Sequence, residues 1–483
     1  MSEYLCLSRL LTAVSVTPCL LLALLSGVVA AERKPNILFV LSDDHSYPYL
    51  GCYGSKEMKT PNLDRLAAEG ALFHRMFTGA PQCVPSRATY LTGRSAVACR
   101  MTRFSSPLPK DEITFPELLK RDAGYFVGVL GRSYHLDGSG KQPAETQKVF
   151  QEHGLKTFTQ RFDYVDATGQ GNISKTMGEF FDKRPTDKPF CLWVNFSDPH
   201  HPWNSGKNPP APASVTVPGF LPDLPGVRKD LSAYMGEVES ADEEFQRVMD
   251  IVKARAGLEN TLVIFAGDNG MAFPSGKGSL HDPGLHVPLI VWWPGVIKPG
   301  TNSNALISGE DIGPVCLQAA GLPVPERMSG VGFLPLLRGE AFTERSHIFG
   351  ERGPHGSATF TEHTTANAVD YSRCVRSADF KLIYNITPNL KYAPVDSGGN
   401  PSWKEMTAAF ESSQLASEFK QLYFTSPRPV YELYDLNKDP NELHNRYGEK
   451  EFAAITMGLK AALQKKMILD YDYIPLPVEP GKN

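Results

Sequence analysis

The chain has 483 residues, 41% of them hydrophobic and 21% charged, with a formal net charge of −4 at pH 7. That length suits one large domain with a smaller one beside it, and the composition is that of a folded globular protein. The acidic balance argues against general nucleic-acid binding but allows a cationic pocket inside an acidic surface.

The chain opens with Arg9 and an apolar stretch from Leu10 to Ala30. Small residues Val28-Val29-Ala30-Ala31 then precede Glu32-Arg33-Lys34. This is a signal-peptide pattern over 1–31. Pro18 and Cys19 interrupt the stretch, so cleavage is expected rather than a lasting anchor, with no stable membrane span afterwards. The location expected is secreted or periplasmic, or lysosome-like or extracellular in a eukaryote.

Asn36 to Leu41 is a short apolar run that reads as a buried strand and ends in Ser42-Asp43-Asp44. A helix is expected over 61–70. Cys83-Val-Pro-Ser-Arg87 follows, and the small and hydroxylated residues after Pro85 suit a helix start. Such a start has free N–H groups and a positive dipole end, which favour an anion. A helix over Thr114–Arg121 leads to a strand from Gly124-Tyr125 to Gly131, then Arg132-Ser-Tyr-His135. The strand from Phe190 ends near Asp198, ahead of Pro199-His200-His201-Pro202. Pro202 to Pro225 is a proline-rich loop, and Lys229 to Ala256 a long helix. Thr261 to Ala266 is a second buried strand, ending in Gly267-Asp268-Asn269-Gly270, with Gly276-Lys277 close behind. An apolar helix spans Ile312 to Ala320. Alternating strands and helices imply a mostly parallel sheet covered on both faces, with sites beyond the carboxyl ends of its strands. The acidic pairs fall at that edge. Hard oxygen ligands of this kind suit Ca²⁺ or Mg²⁺ rather than zinc.

After residue 345 the pattern changes. Cys374-Val-Arg, Phe380 to Tyr384 and Val430 to Tyr434 read as antiparallel strands, followed by a helix near Glu451 to Gln464. The division expected is 32–345 for a catalytic α/β domain and 346–483 for a C-terminal α+β subdomain.

Cys83-Val-Pro-Ser-Arg87 with Leu91-Thr-Gly-Arg94 resembles the type I sulfatase signature, C-x-P-S-R followed by L-T-G-R. The other motifs agree. Asp43, Asp44, Asp268 and Asn269 fall at the positions that hold the family's divalent ion, usually calcium. Arg132 stands where the second signature usually has lysine, replacing a point charge by a planar fork. His135, His200 and Lys277 match further family positions. Asp282-Pro-Gly-Leu-His-Val-Pro288 is a looser match to E-G-G-x-R-x-P, and Asp435-Leu-Asn-Lys-Asp-Pro-Asn-Glu442 resembles a turn of sulfatase C-terminal domains. The run from Asp268 to Lys277 looks like that of heparan N-sulfatases (sulfamidases).

The resemblance implies an alkaline-phosphatase-like fold: a large mostly parallel (mixed) sheet sandwiched by helices, plus a smaller C-terminal domain with an antiparallel sheet. It implies that a formylglycine-generating enzyme oxidises Cys83 to formylglycine (3-oxoalanine), whose hydrate is the nucleophile and an ion ligand. Arg87, Arg132 and Lys277 would clamp the sulfate, and Asp268 would be the base. His200 with Lys277 would protonate the leaving group, and His135 would help expel sulfate. The substrate implied is a sulfated carbohydrate. Glu351, Arg352 and His355 are candidates for reading the sugar.

Two other readings belong beside this one. Relatives with the same nucleophile motif act as phosphonate monoester or phosphodiester hydrolases. A non-catalytic sulfated-glycan-binding protein is the third, but binding alone does not need Cys83, His135 and His200 together. Of eight cysteines, Cys6 and Cys19 leave with the signal peptide, and Cys83 is used at the site. Cys52, Cys99, Cys191, Cys316 and Cys374 remain, an odd set with at least one free thiol and no zinc spacing.

Overall fold

Fourteen strands build a sheet of eight, a sheet of four and a pair, β3 with β10, among the described residues of a computed structural model. They are β1 (Asn36–Ser42), β2 (Ala71–Phe73), β3 (Met76–Phe77), β4 (Phe126–Gly131), β5 (Tyr164–Asp166), β6 (Phe190–Asn195), β7 (Thr261–Gly267), β8 (Leu289–Trp292), β9 (Thr301–Ser303), β10 (Ile307–Ser308), β11 (Ile348–Arg352), β12 (Ser372–Arg376), β13 (Phe380–Asn385) and β14 (Tyr431–Asp435). The described residues are 33–474, except 105–106, 133, 138–143, 154, 167–172, 205 and 356–364. The expected signal peptide lies outside them.

The large sheet has the order β5-β4-β6-β1-β7-β8-β2-β9. Its strands β5, β4, β6, β1 and β7 are parallel, and β8 runs against both neighbours. The sheet is therefore mixed, as expected. The central strands are short, rich in branched and aromatic residues, and buried on both faces, which is what parallel strands require. Along β1 the side chains alternate. Ile37, Phe39 and Leu41 join one core layer with Trp193, Tyr90, Phe115 and Val315. Leu38 and Val40 join the opposite layer with Val263, Phe265, Leu66 and Val238. Each fully buried side chain of this size contributes roughly 1.5–3 kcal/mol, so these two layers hold the helices to the sheet.

Register places the site. Leu41 pairs with Asn195, Ser42 with Gly267, and Gly131 with Asn195. The carboxyl ends of β1, β4, β6 and β7 thus share one edge. Gly131 has a left-handed φ of 82°, and a Cβ there would lie 1.9 Å from the Asn195 carbonyl oxygen, so only glycine lets β4 end this close to β6.

The second sheet, β11-β12-β13-β14, is antiparallel throughout. One face packs Val375, Leu382 and Leu433 against Leu459, Leu463 and Met467 of the helix Ala453–Leu469. The other face packs Cys374 and Ile383 against Leu280 and Leu285, from the segment after β7, and against Phe77 of β3.

Several boundaries differ from the sequence reading. The long helix starts at Pro225 rather than Lys229, with proline in its first turn, where no N–H is missed. β4 starts at Phe126, because Gly124 (φ 75°) first closes the preceding helix in the left-handed region. Strand β11 and the helices Pro401–Glu411 and Ser417–Phe424 were not expected.

Candidate active site

Position 83 opens the helix Cys83–Thr92. The helix begins two residues before Pro85, with extended Gln82 as its N-cap. Every residue in it is buried, and Gly93 (φ 63°) ends it. Cys83 is 2% exposed. Its thiol donates to Asp43 Oδ1 at 3.4 Å and, more weakly, to Asp44 Oδ1 at 3.8 Å. Burial, then the charge of Asp43, pushes this thiol well above its ordinary range. As a cysteine, position 83 is a protonated thiol and not a thiolate nucleophile.

Asp43 and Asp44 follow β1, and Asp268 and Asn269 follow β7. Arg87 sits one helical turn past Cys83 and joins the two strand ends. Its Nη2 lies 3.1 Å from Asp43 Oδ2. Its Nε and Nη2 reach Asp268 Oδ2 at 2.9 and 2.8 Å. The other oxygen of Asp268 accepts the backbone N–H of Asp44 at 2.9 Å and of Asn269 at 2.7 Å. Burial alone would raise Asp43, but the permanent cations Arg87, Arg132 and Lys277 outweigh it and hold the carboxyl far below its usual range. Burial pushes Asp44 up to about 6 against the opposing charge of Lys277.

Three more groups close the ring. Arg132 Nε lies 2.7 Å from Asp43 Oδ2, so the arginine reaches the acidic pair although lysine is usual there. Its Nη2 donates to His200 Nε2 at 2.9 Å. Burial and the charges of Lys277 and Arg132 push His200 down to about 3, so the imidazole is neutral. Lys277 Nζ is 2.9 Å from Asp44 Oδ1 and 2.8 Å from Asp396 Oδ2. These carboxylates outweigh its burial and keep the ammonium charged.

Asp396 was not anticipated. It lies after β13, in the left-handed region at φ 61°, and faces Lys277, His355 (3.4 Å) and His200 (3.9 Å). With side chains 29% and 24% exposed, Asp396 and Arg132 are the cluster's most open charges. No motif flags Asp396; only long-range packing brings it here. Asparagine tolerates this backbone conformation, so Asp396→Asn tests the charge alone. We expect kcat/KM to fall about 10–100-fold, as for other groups that orient a catalytic side chain, with an unchanged far-UV spectrum.

The residues present fit a divalent ion. Ligand atoms of Asp43, Asp44, Cys83 and His200 all lie within 4.8 Å of one another. Asn269 Nδ2 is spent on Asp44 Oδ1 (2.8 Å), but its Oδ1 is buried with no partner among the described residues. Such an atom is costly unless something binds it. Four carboxyl groups (Asp43, Asp44, Asp268, Asp396) crowd round Arg87, Arg132 and Lys277, and burial, then the charge of Asp43, pushes Asp268 up to about 7, a cost that a bound cation would relieve. Carboxylate and amide oxygens are ligands for Ca²⁺ or Mg²⁺.

The remaining candidates fall differently. The His135 side chain lies outside the described residues; its backbone is in the turn Tyr134–Asp137. His355 reaches the cluster through Asp396, and its Nδ1 is 3.1 Å from Gln82 Nε2. Glu351 and Arg352 lie on β11 and are 7% and 1% exposed. Glu351 accepts the backbone N–H of Val97 at 2.8 Å, and no described contact joins it to the cluster. Burial, against the charges of Arg373 and Lys466, pushes Glu351 up to about 7. A raised carboxyl stabilises the fold below its unfolded value near 4.5, and that stability is lost as pH rises through 7. Glu351→Gln should therefore gain on the wild type by about 2 kcal/mol between pH 5 and pH 8, read from urea midpoints. A pH-independent difference would refute this.

Fold and site together define a sulfatase. Residues 35–322 match the Sulfatase family, and 275–421 and 414–468 match the N-sulphoglucosamine sulphohydrolase C-terminal family. The chain belongs to the sulfatase family. It is 28% identical to human N-sulphoglucosamine sulphohydrolase over 492 residues, covering 93% of both chains. It is also 28% identical to an ulvan-active sulfatase of Formosa agariphila over 432 residues, covering 88% of this chain and 78% of that one. Among solved structures, BT4656 in complex with its substrate D-glucosamine-2-N,6-O-disulfate matches with a TM-score of 0.66 and 20% identity, covering 92% of this chain and 99% of that one. The phosphonate monoester hydrolase of Agrobacterium radiobacter matches with a TM-score of 0.66 and 22% identity, covering 90% and 96%. Likenesses at that identity establish the fold alone.

Proposed function

We propose that this sulfatase removes sulfate, O- or N-linked, from a sulfated carbohydrate, using formylglycine made from Cys83 and a bound Ca²⁺ or Mg²⁺. The observation that carries this is the place of position 83. It lies at a positive helix end, 3.4 Å from Asp43, inside a ring of three permanent cations. An unmodified thiol there is held protonated and has no evident use.

When bound, the hydrated aldehyde supplies a nucleophilic hydroxyl with an exit by aldehyde recovery, and the ion supplies charge for a sulfuryl oxygen. This chain's own residues do the rest. The proton at position 83 has the carboxylates of Asp43 and Asp44 within reach. Asp268, the base and ion ligand expected from the sequence, keeps both roles in this reading, and its Oδ2 also orients the Arg87 guanidinium. Arg87, Arg132 and Lys277 stabilise charge that grows on the sulfuryl oxygens in the transition state. His200 already accepts from Arg132. Lys277, kept charged by Asp44 and Asp396, is the donor beside it for the leaving oxygen or nitrogen. His135 is retained as the residue that helps release sulfate.

The same reading includes a cleaved signal peptide over 1–31 and delivery outside the cytoplasm, secreted or periplasmic. It includes a catalytic part over 32–345 and a C-terminal part over 346–483. A formylglycine-generating enzyme is the expected maturation partner. No helix among the described residues is long and apolar enough to cross a membrane.

Mass spectrometry of the tryptic peptide Met76–Arg87, from protein made in its own host, tests the nucleophile. The aldehyde or its hydrate is expected at position 83. An alkylatable thiol in active protein would defeat the mechanism. Rates on sulfated saccharides and on phosphonate monoesters then separate the two hydrolase readings, and faster phosphonate cleavage would overturn the sulfatase assignment of substrate.

A further inference from the structure

The loop that carries Lys277 has a second side. Behind it, against the C-terminal sheet, lies a cavity of about 250 Å³ whose walls include Ser275, Gly278, Arg352, Asp370, Tyr392 and Arg428. Neither Cys83 nor Lys277 lines it.

Arg352 is the unusual feature of this cavity. It is 1% exposed. Its Nη2 donates to the carbonyls of Ala366 (2.9 Å) and Asn367 (3.3 Å). Its Nε and Nη1 are buried without a partner, and among the described residues no carboxylate pairs with it. The carboxylates on the cavity wall are already engaged. Asp370 takes Arg428 at 2.8 and 3.0 Å and also accepts from Thr387 at 2.8 Å. Glu432 takes Asn385 at 2.6 Å together with the Tyr434 hydroxyl, and faces His281 at 3.5 Å. Arg428 Nε is also buried without a partner. Two guanidiniums thus border one space, and each carries buried N–H groups that no atom of the described residues accepts. A buried cation without a counter-charge is strongly disfavoured. In agreement, burial holds Arg352 down to about 10.

We propose that this cavity is an anion site, in which Arg352 and Arg428 hold a small inorganic anion such as chloride or sulfate. The volume leaves room for such an ion with several waters, each of about 30 Å³. Arginine N–H groups suit both a halide and, in forked geometry, an oxyanion. The site also touches the catalytic loop. Arg352 Nη1 lies 3.0 Å from where a Cβ on Gly278 would be, and Gly278, at φ 77°, follows Lys277. An anion here steadies the backbone next to the catalytic lysine. The inference holds whichever sulfate the enzyme removes.

The test is thermal unfolding of the full chain in sodium HEPES, with chloride or sulfate exchanged in at fixed ionic strength. An anion that binds only the folded state raises Tm, by about 2–4 °C when present well above its Kd. We expect that rise in the wild type and a shift below ~1 °C in Arg352→Gln. A response to chloride and sulfate alike marks a general anion site; a response to sulfate alone marks an oxyanion site that can retain the product. Equal responses of wild type and variant, or none, overturn the proposal. Should the variant not fold, a bromide-soaked wild-type crystal decides: an anomalous peak beside Arg352 supports the site, and its absence refutes it.

Discussion

Cys83→Ala is expected to abolish sulfate hydrolysis, with a loss on the order of 10⁴-fold or more in kcat and almost no change in the fold. The two effects separate because of what Cys83 touches. Its sulfur makes only two weak contacts, to Asp43 and Asp44. Alanine is a good helix former at the same position. The side chain is small, so the cavity left is small, and Tm should stay within about 3 °C. Activity on a sulfated saccharide and a melting curve on the same sample check both halves. Variant protein that keeps a tenth of the wild-type rate would remove position 83 from the chemistry.

Arg87→Met is expected to damage fold and activity together. Arg87 has no exposed surface and neutralises both Asp43 and Asp268. Removing one partner of a buried pair leaves uncompensated charge, at a cost of about 3–5 kcal/mol. The loss of a preorganised cation facing the sulfuryl group should lower kcat by a further 10²–10³-fold, roughly. Arg87→Lys restores the charge but not the fork that spans two carboxylates. It should recover part of the stability and little of the rate. Denaturant midpoints alongside kcat decide; a lysine variant with full activity would show that Arg87 acts only as a point charge.

Much of the frame was legible in the sequence because it is local. β1 and β7 are unbroken apolar runs, and the polar groups that follow them must emerge at the sheet's edge. The motif around Cys83 located the helix, though not its first residue, since that depends on the extended conformation of Gln82. Asp43, Asp44, Cys83, Arg87, Arg132, His200, Lys277, Asp268 and Asn269 were all named, and the structure gathers them. What escaped depends on distant contacts. β11 reads as a polar loop because Glu351 and Arg352 are charged, yet both are buried. Asp396 sits outside any periodic segment, and its partners Lys277 and His200 lie over a hundred residues away. The direction of Asp268 was also hidden, since it is set by Arg87 and two backbone N–H groups.

The site's charges are far apart along the chain, and that has a consequence for synthesis. Asp44 and Cys83 leave the ribosome long before Asp396, the last group to join the cluster. At about 5–20 residues per second, the gap from Cys83 to Asp396 is roughly 15–60 s. During this interval the thiol is on an unfinished protein and open to its surroundings. Once folding is complete, Cys83 is 2% exposed. The maturation enzyme proposed above is therefore expected to meet this residue before the fold closes over it.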